Sequence, residues 1–277
     1  MLTGLYSAAS GMIIQEQVQD VISQNLANSH MPGFRREEVV IRSFPDVMLK
    51  ASYDGLTNTT NKNRFNHAIG RVGTGAGIDW IYTDHSSAGL KYTGEDNDMA
   101  IEGDGFFTLT TPDGMRFSRS GNFHVDKEGF LVNTQGYQVM GQGTQNNRQP
   151  GPINVGKGDF RVGGFGHIFA TNKVQNANGD LVNQEYEIDQ LRIIDFEDKD
   201  KLFREPGNIF RVEEDDLDNF KIPEKFRVAQ GYFETSNSLP TTEMVKLIDS
   251  FRIHEASARV LKALDQTLGK AVNEIAR

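Results

Sequence analysis

Six histidines, a pair of acidic, glycine-rich turns and one Ser-Arg-Ser-Gly run are the first places to look for reaction chemistry in this chain. The histidines stand at positions 30, 67, 85, 124, 167 and 254, with no pair at the spacing that turns two imidazoles onto one metal ion. Asp96-Asn97-Asp98 and Glu102-Gly103-Asp104-Gly105 have the oxygen-rich character of calcium loops. They lack the regular ligand spacing and the closing Glu that complete such a site, so they read as turns. Ser118-Arg119-Ser120-Gly121 is no nucleophile elbow, because the residue two before each serine is not Gly. Gly73-Thr74-Gly75-Ala76-Gly77 could suggest a phosphate loop, but no Lys-Ser/Thr follows and no helix opens there. The expectation is a protein without catalytic residues, metal or cofactor.

The elements that would have to position such chemistry point elsewhere, to assembly. From Met244 the residues Leu247, Phe251, His254, Ala258, Leu261, Asp265, Leu268, Val272 and Ile275 follow in steps of alternating three and four. That is a heptad seam, which needs a second helix to cover it. Ile248, Leu264 and Ala271 widen the stripe, and Ser250, Arg252, Glu255, Arg259 and Lys262 supply wet faces. The spacing predicts a helix from Pro240 to Ile275, roughly 54 Å long at about 1.5 Å per residue. His254 and Asp265 on this seam either fix register or mark places where it opens.

A second helix is predicted over residues 3–27. Leu5, Ala8, Met12, Ile22 and Leu26 keep the three-four rhythm, and Ile14, Val18 and Val21 form another stripe at an angle to it. Such a helix is marginal alone in water. It should pair with the C-terminal helix, either as a plain intramolecular hairpin or with its spare stripe turned to other copies. Asn25-Leu26-Ala27-Asn28 and Pro32-Gly33 end it. Residues 43–70 are polar and aperiodic and read as a long loop or arm. Beyond Val72 the pattern changes to short strands separated by Gly turns, the mark of an antiparallel β domain. Asn178-Gly179-Asp180 signals a hairpin, and Glu213–Asp218 a solvated acidic loop.

Composition agrees. The chain of 277 residues carries a formal charge of −9 and 28 glycines, which gather in its middle. No basic patch of domain size invites nucleic acid. No apolar run reaches the roughly 18 residues needed to span a bilayer. No Lys or Arg precedes Arg35, so the basic start of a cleaved secretory signal is missing. Cysteine is absent, which suits a reducing cytosol or a chain threaded unfolded into an oxidising space.

Several local runs resemble the axial proteins of the bacterial flagellum, the basal-body rod and hook family. Leu5-Tyr6-Ser7-Ala8-Ala9-Ser10-Gly11-Met12, then Asn25, Asn28 and Pro32-Gly33-Phe34-Arg35, is similar to the family's N-terminal signature. Asp98-Met99-Ala100-Ile101-Glu102-Gly103-Asp104-Gly105-Phe106-Phe107 and Phe117–Phe123 resemble its middle motif. Gly231–Asn237, including Ser236 and Asn237, with Glu243-Met244 and Arg252, resembles its closing motif. The resemblance implies an α+β fold: a discontinuous coiled coil of the terminal helices as inner domain, with an inserted antiparallel all-β domain. Expected boundaries are 1–34 for the N-terminal inner (D0) part, 35–95 for an arm and linker, 96–225 for the outer (D1) domain, and 226–277 for the strand and helix that complete the inner domain.

The resemblance further implies a structural subunit of the rod. Copies would polymerise helically, with other rod and hook proteins, into a hollow drive shaft that transmits torque and serves as export channel. The chain would reach the periplasm through the flagellar type III export apparatus without signal cleavage or membrane insertion. Leu5, Met12, Ile22, Leu26, Met244, Leu247, Phe251, Leu261, Leu268, Val272 and Ile275 are the expected assembly residues. Gly151–Val155 and Asp195–Phe210 favour the proximal rod protein, with the distal one as alternative. Ser238-Leu239-Pro240-Thr241-Thr242 departs from the family's usual Val and Asp or Asn. A reading from another class is a β-domain hydrolase or carbohydrate-binding module dimerised by its helices.

Overall fold

The structure, a computed structural model, describes residues 2–52, 66–143, 149–156, 159–175, 181–213, 220–223 and 225–275. The chain divides into two compact units. One comprises Met1–Leu26, Glu37–Tyr82 and Pro240–Arg277, the other Ala27–Arg36 and Thr83–Leu239.

The helical unit is built on α1 (Leu2–Ala27) and α2 (Pro240–Ile275). Pro240 opens α2, where its fixed φ suits the first turn and its missing N–H removes no helical bond. Three contacts set the helices antiparallel. Gly4 lies beside Leu264 and Gly11 beside Ser257, and Ser250 Oγ is 2.8 Å from Gln15 Oε1. Small residues stand on both sides of this contact, which lets the two backbones approach.

Among the described residues four strands accompany these helices: β1 (Glu37–Ser43), β2 (Val47–Ser52), β3 (Asn66–Val72) and β4 (Ala76–Thr83). β1 pairs with β4, and β2 with β3. The loop or arm expected over residues 43–70 is therefore corrected to an antiparallel ribbon, with register running from Val47↔Val72 to Ser52↔Asn66. Residues 53–65 between its strands lie outside the described residues. Val47, Met48, Leu49 and Ile69 are exposed, so these positions carry no inward-outward alternation that would mark the strands in the sequence, and backbone pairing defines them instead.

The expected linker 35–95 is divided as well, since residues 37–82 belong with the helices. Lys246 Nζ of α2 is 3.7 Å from Glu38 Oε1 on β1, and Tyr82 Oη on β4 donates to Glu38 Oε2 at 2.7 Å. Residues 226–239, expected with the C-terminal helix, belong to the other unit through strand pairing.

That β unit contains β5 (Leu90–Tyr92), β6 (Met99–Gly103), β7 (Phe106–Thr111), β8 (Gly114–Ser118), β9 (Phe123–Val125), β10 (Leu131–Asn133), β11 (Gln138–Gly141) and β12 (Gly151–Pro152). There follow β13 (Phe160–Val162), β14 (His167–Gln175), β15 (Leu181–Gln190), β16 (Ile193–Phe196), β17 (Phe203–Glu205), β18 (Ile209–Arg211), β19 (Phe220–Lys221), β20 (Phe226–Gln230) and β21 (Tyr232–Glu234). The main sheet runs β17-β18-β8-β7-β11-β10-β9, and its pairings are antiparallel. The fold class is α+β. The Asn178-Gly179-Asp180 turn and residues 214–218 of the acidic loop lie outside the described residues.

β7 is the hub, because successive side chains on a strand point to opposite faces. Phe107 and Leu109 enter a core with Met99, Ile101, Leu131, Val139 and Ile153. Phe106 enters a second core with Phe117, Ile194, Phe196, Leu202 and Phe210. Each buried Phe contributes about 2 kcal/mol. The Gly103–Gly105 turn leads into β7 with φ of 105° and 118° at its glycines. A Cβ at Gly105 would stand 2.7 Å from Ile193 Cγ2, so both backbone conformation and space select glycine there.

Candidate assembly surface and its buried anchor

The side of α2 turned to α1 is offset from the seam read in the sequence. Leu247, His254, Ala258, Leu261 and Leu268 are half-buried as that seam requires. The alternate line is shifted by one residue: Glu243 and Ser250 are buried, and Ser257, Leu264 and Ala271 half-buried. Met244 and Phe251 remain 50% exposed and Val272 66%. Asp265 is exposed, and the side chain of Ile275 lies outside the described residues. The reason is closeness. Ser250 and Ser257 meet Gln15 and Gly11 where bulkier side chains would hold the helices apart.

The result is an apolar strip of Met244, Ile248 and Phe251 that the chain's own pair of helices leaves uncovered. On α1, Ile14, Val21 and Ile22 are buried, and Leu5, Met12 and Leu26 half-buried. Tyr6 and Ile13 stay exposed. With Thr3, Ala9, Ser10, Phe44 and Thr74 they line a groove of about 460 Å³. Asn25 at the end of α1 is 2% exposed and binds Glu37 twice. Its Nδ2 donates to the Glu37 carbonyl at 2.8 Å, and its Oδ1 accepts the Glu37 N–H at 2.9 Å. The side-chain amide thereby fastens the start of β1 to the helix. Asn25→Ala should cost about 2 kcal/mol by leaving that buried backbone pair unmet, which a denaturant midpoint on the full chain would register.

In the β unit, motif residues far apart in sequence converge. Arg35 and Glu234, whose side chains are each 1% exposed, form an ion pair with Nη2 and Oε1 2.8 Å apart. Arg119 Nε approaches the other carboxylate oxygen at 3.4 Å, and its Nη2 donates to the Gly103 carbonyl. Burial pulls the Arg119 pKa down, and the Glu234 carboxylate opposes it. Phe34 is fully buried under the Arg204 guanidinium, 4.0 Å from its ring centre.

Gly33 adopts a φ of 64°, and a Cβ there would fall 2.5 Å from the Arg119–Ser120 backbone. Its N–H donates to the Glu234 carbonyl at 2.7 Å, and the Pro32 carbonyl accepts from Asn208 Nδ2 at 2.9 Å. The Asn28 carbonyl closes the turn by accepting the Met31 N–H. Asn237 Oδ1 accepts the Arg36 N–H at 2.7 Å, while Ser236 Oγ accepts the Ser238 N–H. Arg252 of the closing motif is exposed on α2, in the helical unit.

Two guanidinium groups around one sealed carboxylate make an anchor and offer no reacting atom to solvent. Ser118 is likewise committed, its Oγ donating to the Asn208 carbonyl at 3.0 Å. Asp104 pairs with Lys199 at 2.7 Å, and this ammonium group holds its pKa down. Arg35, Arg119 and Glu234 stand inside the motif runs, but no local pattern assigns them a shared role, because Arg35 and Glu234 are 199 positions apart.

Three family models match in chain order. Residues 5–35 match the flagella basal body rod protein, 100–204 the flagellar hook protein FlgE/F/G D1 domain, and 229–274 the flagellar basal body rod FlgEFG protein C-terminal. This chain belongs to the flagellar basal-body rod and hook protein family. The rod protein FlgG of Bacillus subtilis is 28% identical, with 99% of each chain covered. The rod protein FlgF of Rhizobium meliloti is 28% identical over 99% of this chain and 98% of its own. The hook protein FlgE of Treponema pallidum is 35% identical, but over 51% of this chain and 30% of its own. Within the rod and hook family model for residues 5–35 lie both Asn25 and the Pro32–Arg35 half of the anchor. Among the described residues no helix is long and apolar enough to cross a membrane.

Proposed function

We propose that this chain is a structural, non-enzymatic subunit of the flagellar basal-body rod. It polymerises helically with its own copies and other axial proteins into the hollow shaft that carries torque and export traffic. The carrying observation is the uncovered apolar strip of Met244, Ile248 and Phe251 on α2, in a chain whose relatives are named as rod proteins. In the shaft α1 and α2 supercoil as the inner layer. The expected assembly residues then sort into two groups. Leu5, Met12, Ile22, Leu26, Leu247, Leu261 and Leu268 serve the chain's own helix pair, and Met244, Phe251 and Val272 face neighbours. Ile275 continues the seam of α2.

Export unfolded through the type III apparatus into the periplasm, without a cleaved signal, belongs to the same proposal. FlgG and FlgF relatives match at equal identity, 28%. The proximal segment is retained as the placement favoured by the sequence, with the distal segment as alternative. Gly151–Val155 and Asp195–Phe210, which favoured it, contribute Ile153, Val155, Phe196 and Phe210 to the two cores. An image of the intact basal body that resolves side chains decides between the segments.

Deleting residues 240–277 tests the assembly reading. A rod subunit without α2 should fail to incorporate and leave cells non-motile. Retained motility, or a β unit that binds glycans whether or not α2 is present, would favour the binding-module reading.

A further inference from the structure

Residues Asp84–Ala88 cross the buried Arg35–Glu234 pair and are tied to the chain on both sides of it. Arg35 Nη1 donates to the Ser86 carbonyl, and the Ala88 N–H donates to Glu234 Oε1 at 2.9 Å. Asn237 Nδ2 donates to the Asp84 carbonyl at 2.8 Å, and Arg36 pairs with the Asp84 carboxylate at 2.9 Å. Between these ties the His85 ring turns inward. It lies 5.8 Å from the Phe106 ring at 84° and 5.4 Å from the Phe210 ring at 58°. Both its nitrogens are buried, and neither makes a hydrogen bond among the described residues.

The charged groups around this ring are mostly cations. Arg35 and Lys199 bear on it, against Asp84 from its own loop and the backbone of Lys199. Lys199 is itself paired with Asp104 at 2.7 Å and with Asp195 at 3.5 Å, and Arg35 with Glu234. β7 and β18 present the apolar rings of Phe106 and Phe210. An imidazolium seated here would be desolvated between two phenyl rings and beside the Arg35 and Lys199 charges, and the Lys199 backbone offsets only the smallest part of that cost.

We propose that Asp84–Ala88 is an acid-releasable strap over the Arg35–Glu234 anchor, with neutral His85 as the plug that seats it and protonated His85 as the signal that frees it. Burial first, then Arg35 and Lys199, hold the His85 pKa down to about 4 from 6.5. Above pH 6.5 both the seated and the freed imidazole are neutral, so nothing drives release. Between 6.5 and about 4 the freed ring takes a proton that the seated ring refuses, so release grows as pH falls. The opening equilibrium should rise by about tenfold per pH unit within that window. Asp84 resists the same acid. Burial acts to raise its pKa, but the Ser86 backbone and hydroxyl and Arg36 together hold it below the usual carboxylate value.

Hydrogen exchange on the full chain tests the strap at about pH 7 and about pH 4.5, with intrinsic rates divided out. Protection of the Ser86 and Ala88 amides should fall several tens of fold at the lower pH, relative to Leu109 in β7. In His85→Phe it should stay level. Equal protection at both pH values in the wild type, or the same loss in His85→Phe, would overturn the proposal. Should that variant fail to fold, the wild-type imidazole C–H resonance of His85 carries the test. A midpoint near 4 supports the plug, and one near 6.5 sinks it.

Discussion

Replacing Glu234 with Gln should destabilise the β unit by about 3–5 kcal/mol. In a chain of this size that corresponds to a drop in melting temperature on the order of 10 °C. The substitution keeps the shape of the side chain and removes its charge. It strands Arg35, which is fully buried, and Arg119, 4% exposed, with no carboxylate between them. Water cannot take up the role because the site is closed to it. A useful contrast is Lys221→Ala, whose pair with Glu197 is 65% and 74% exposed. Solvent screens that pair, and its loss should cost less than about 1 kcal/mol. Similar losses in the two variants, followed by thermal denaturation, would mean that the anchor is not sealed in solution.

Phe251→Asp and Leu261→Asp should both abolish motility, but for reasons that can be separated. Leu261 is half-buried on the line of α2 that faces α1. A charge there is forced into an apolar contact within one chain and should cost several kcal/mol. The isolated protein should then lose helical signal as well as the ability to assemble. Phe251 is half exposed and outside that line. In Phe251→Asp the isolated protein should keep its wild-type circular dichroism, while incorporation into basal bodies is lost. A motile Phe251→Asp strain would show that neighbouring copies do not cover this strip. A non-motile strain whose purified protein is also unfolded would place Phe251 in the chain's own fold instead.

The contrast between these residues shows how far the sequence could be read. Heptad spacing marks α2 as a helix in need of a partner, because apolar residues every three or four positions form one face whatever the surroundings. It could not say which edge of that broad stripe the partner takes. The choice fell on Ser250 over Phe251, and it required Gln15 on the opposite helix, with Ser257 meeting Gly11 one heptad further on. Periodicity counts hydrophobicity, whereas packing two helices also weighs how closely their backbones can approach. The ribbon of Val47–Ser52 and Asn66–Val72 shows the same limit, since exposed side chains such as Val47, Met48, Leu49 and Ile69 leave no alternation to read.

By itself the sequence determined that the ends of this protein are helices with faces to cover and that its middle is a set of short strands joined by glycine turns. Those are local properties, written in spacing, turn chemistry and backbone freedom. Only the tertiary structure decided that Arg35, Arg119 and Glu234 are one buried cluster and that the His85 ring lies against Phe106 and Phe210. Charges and rings on different elements of the sheet, from Arg35 to Glu234, meet only when that sheet has folded, and their meeting is invisible to any window read along the chain.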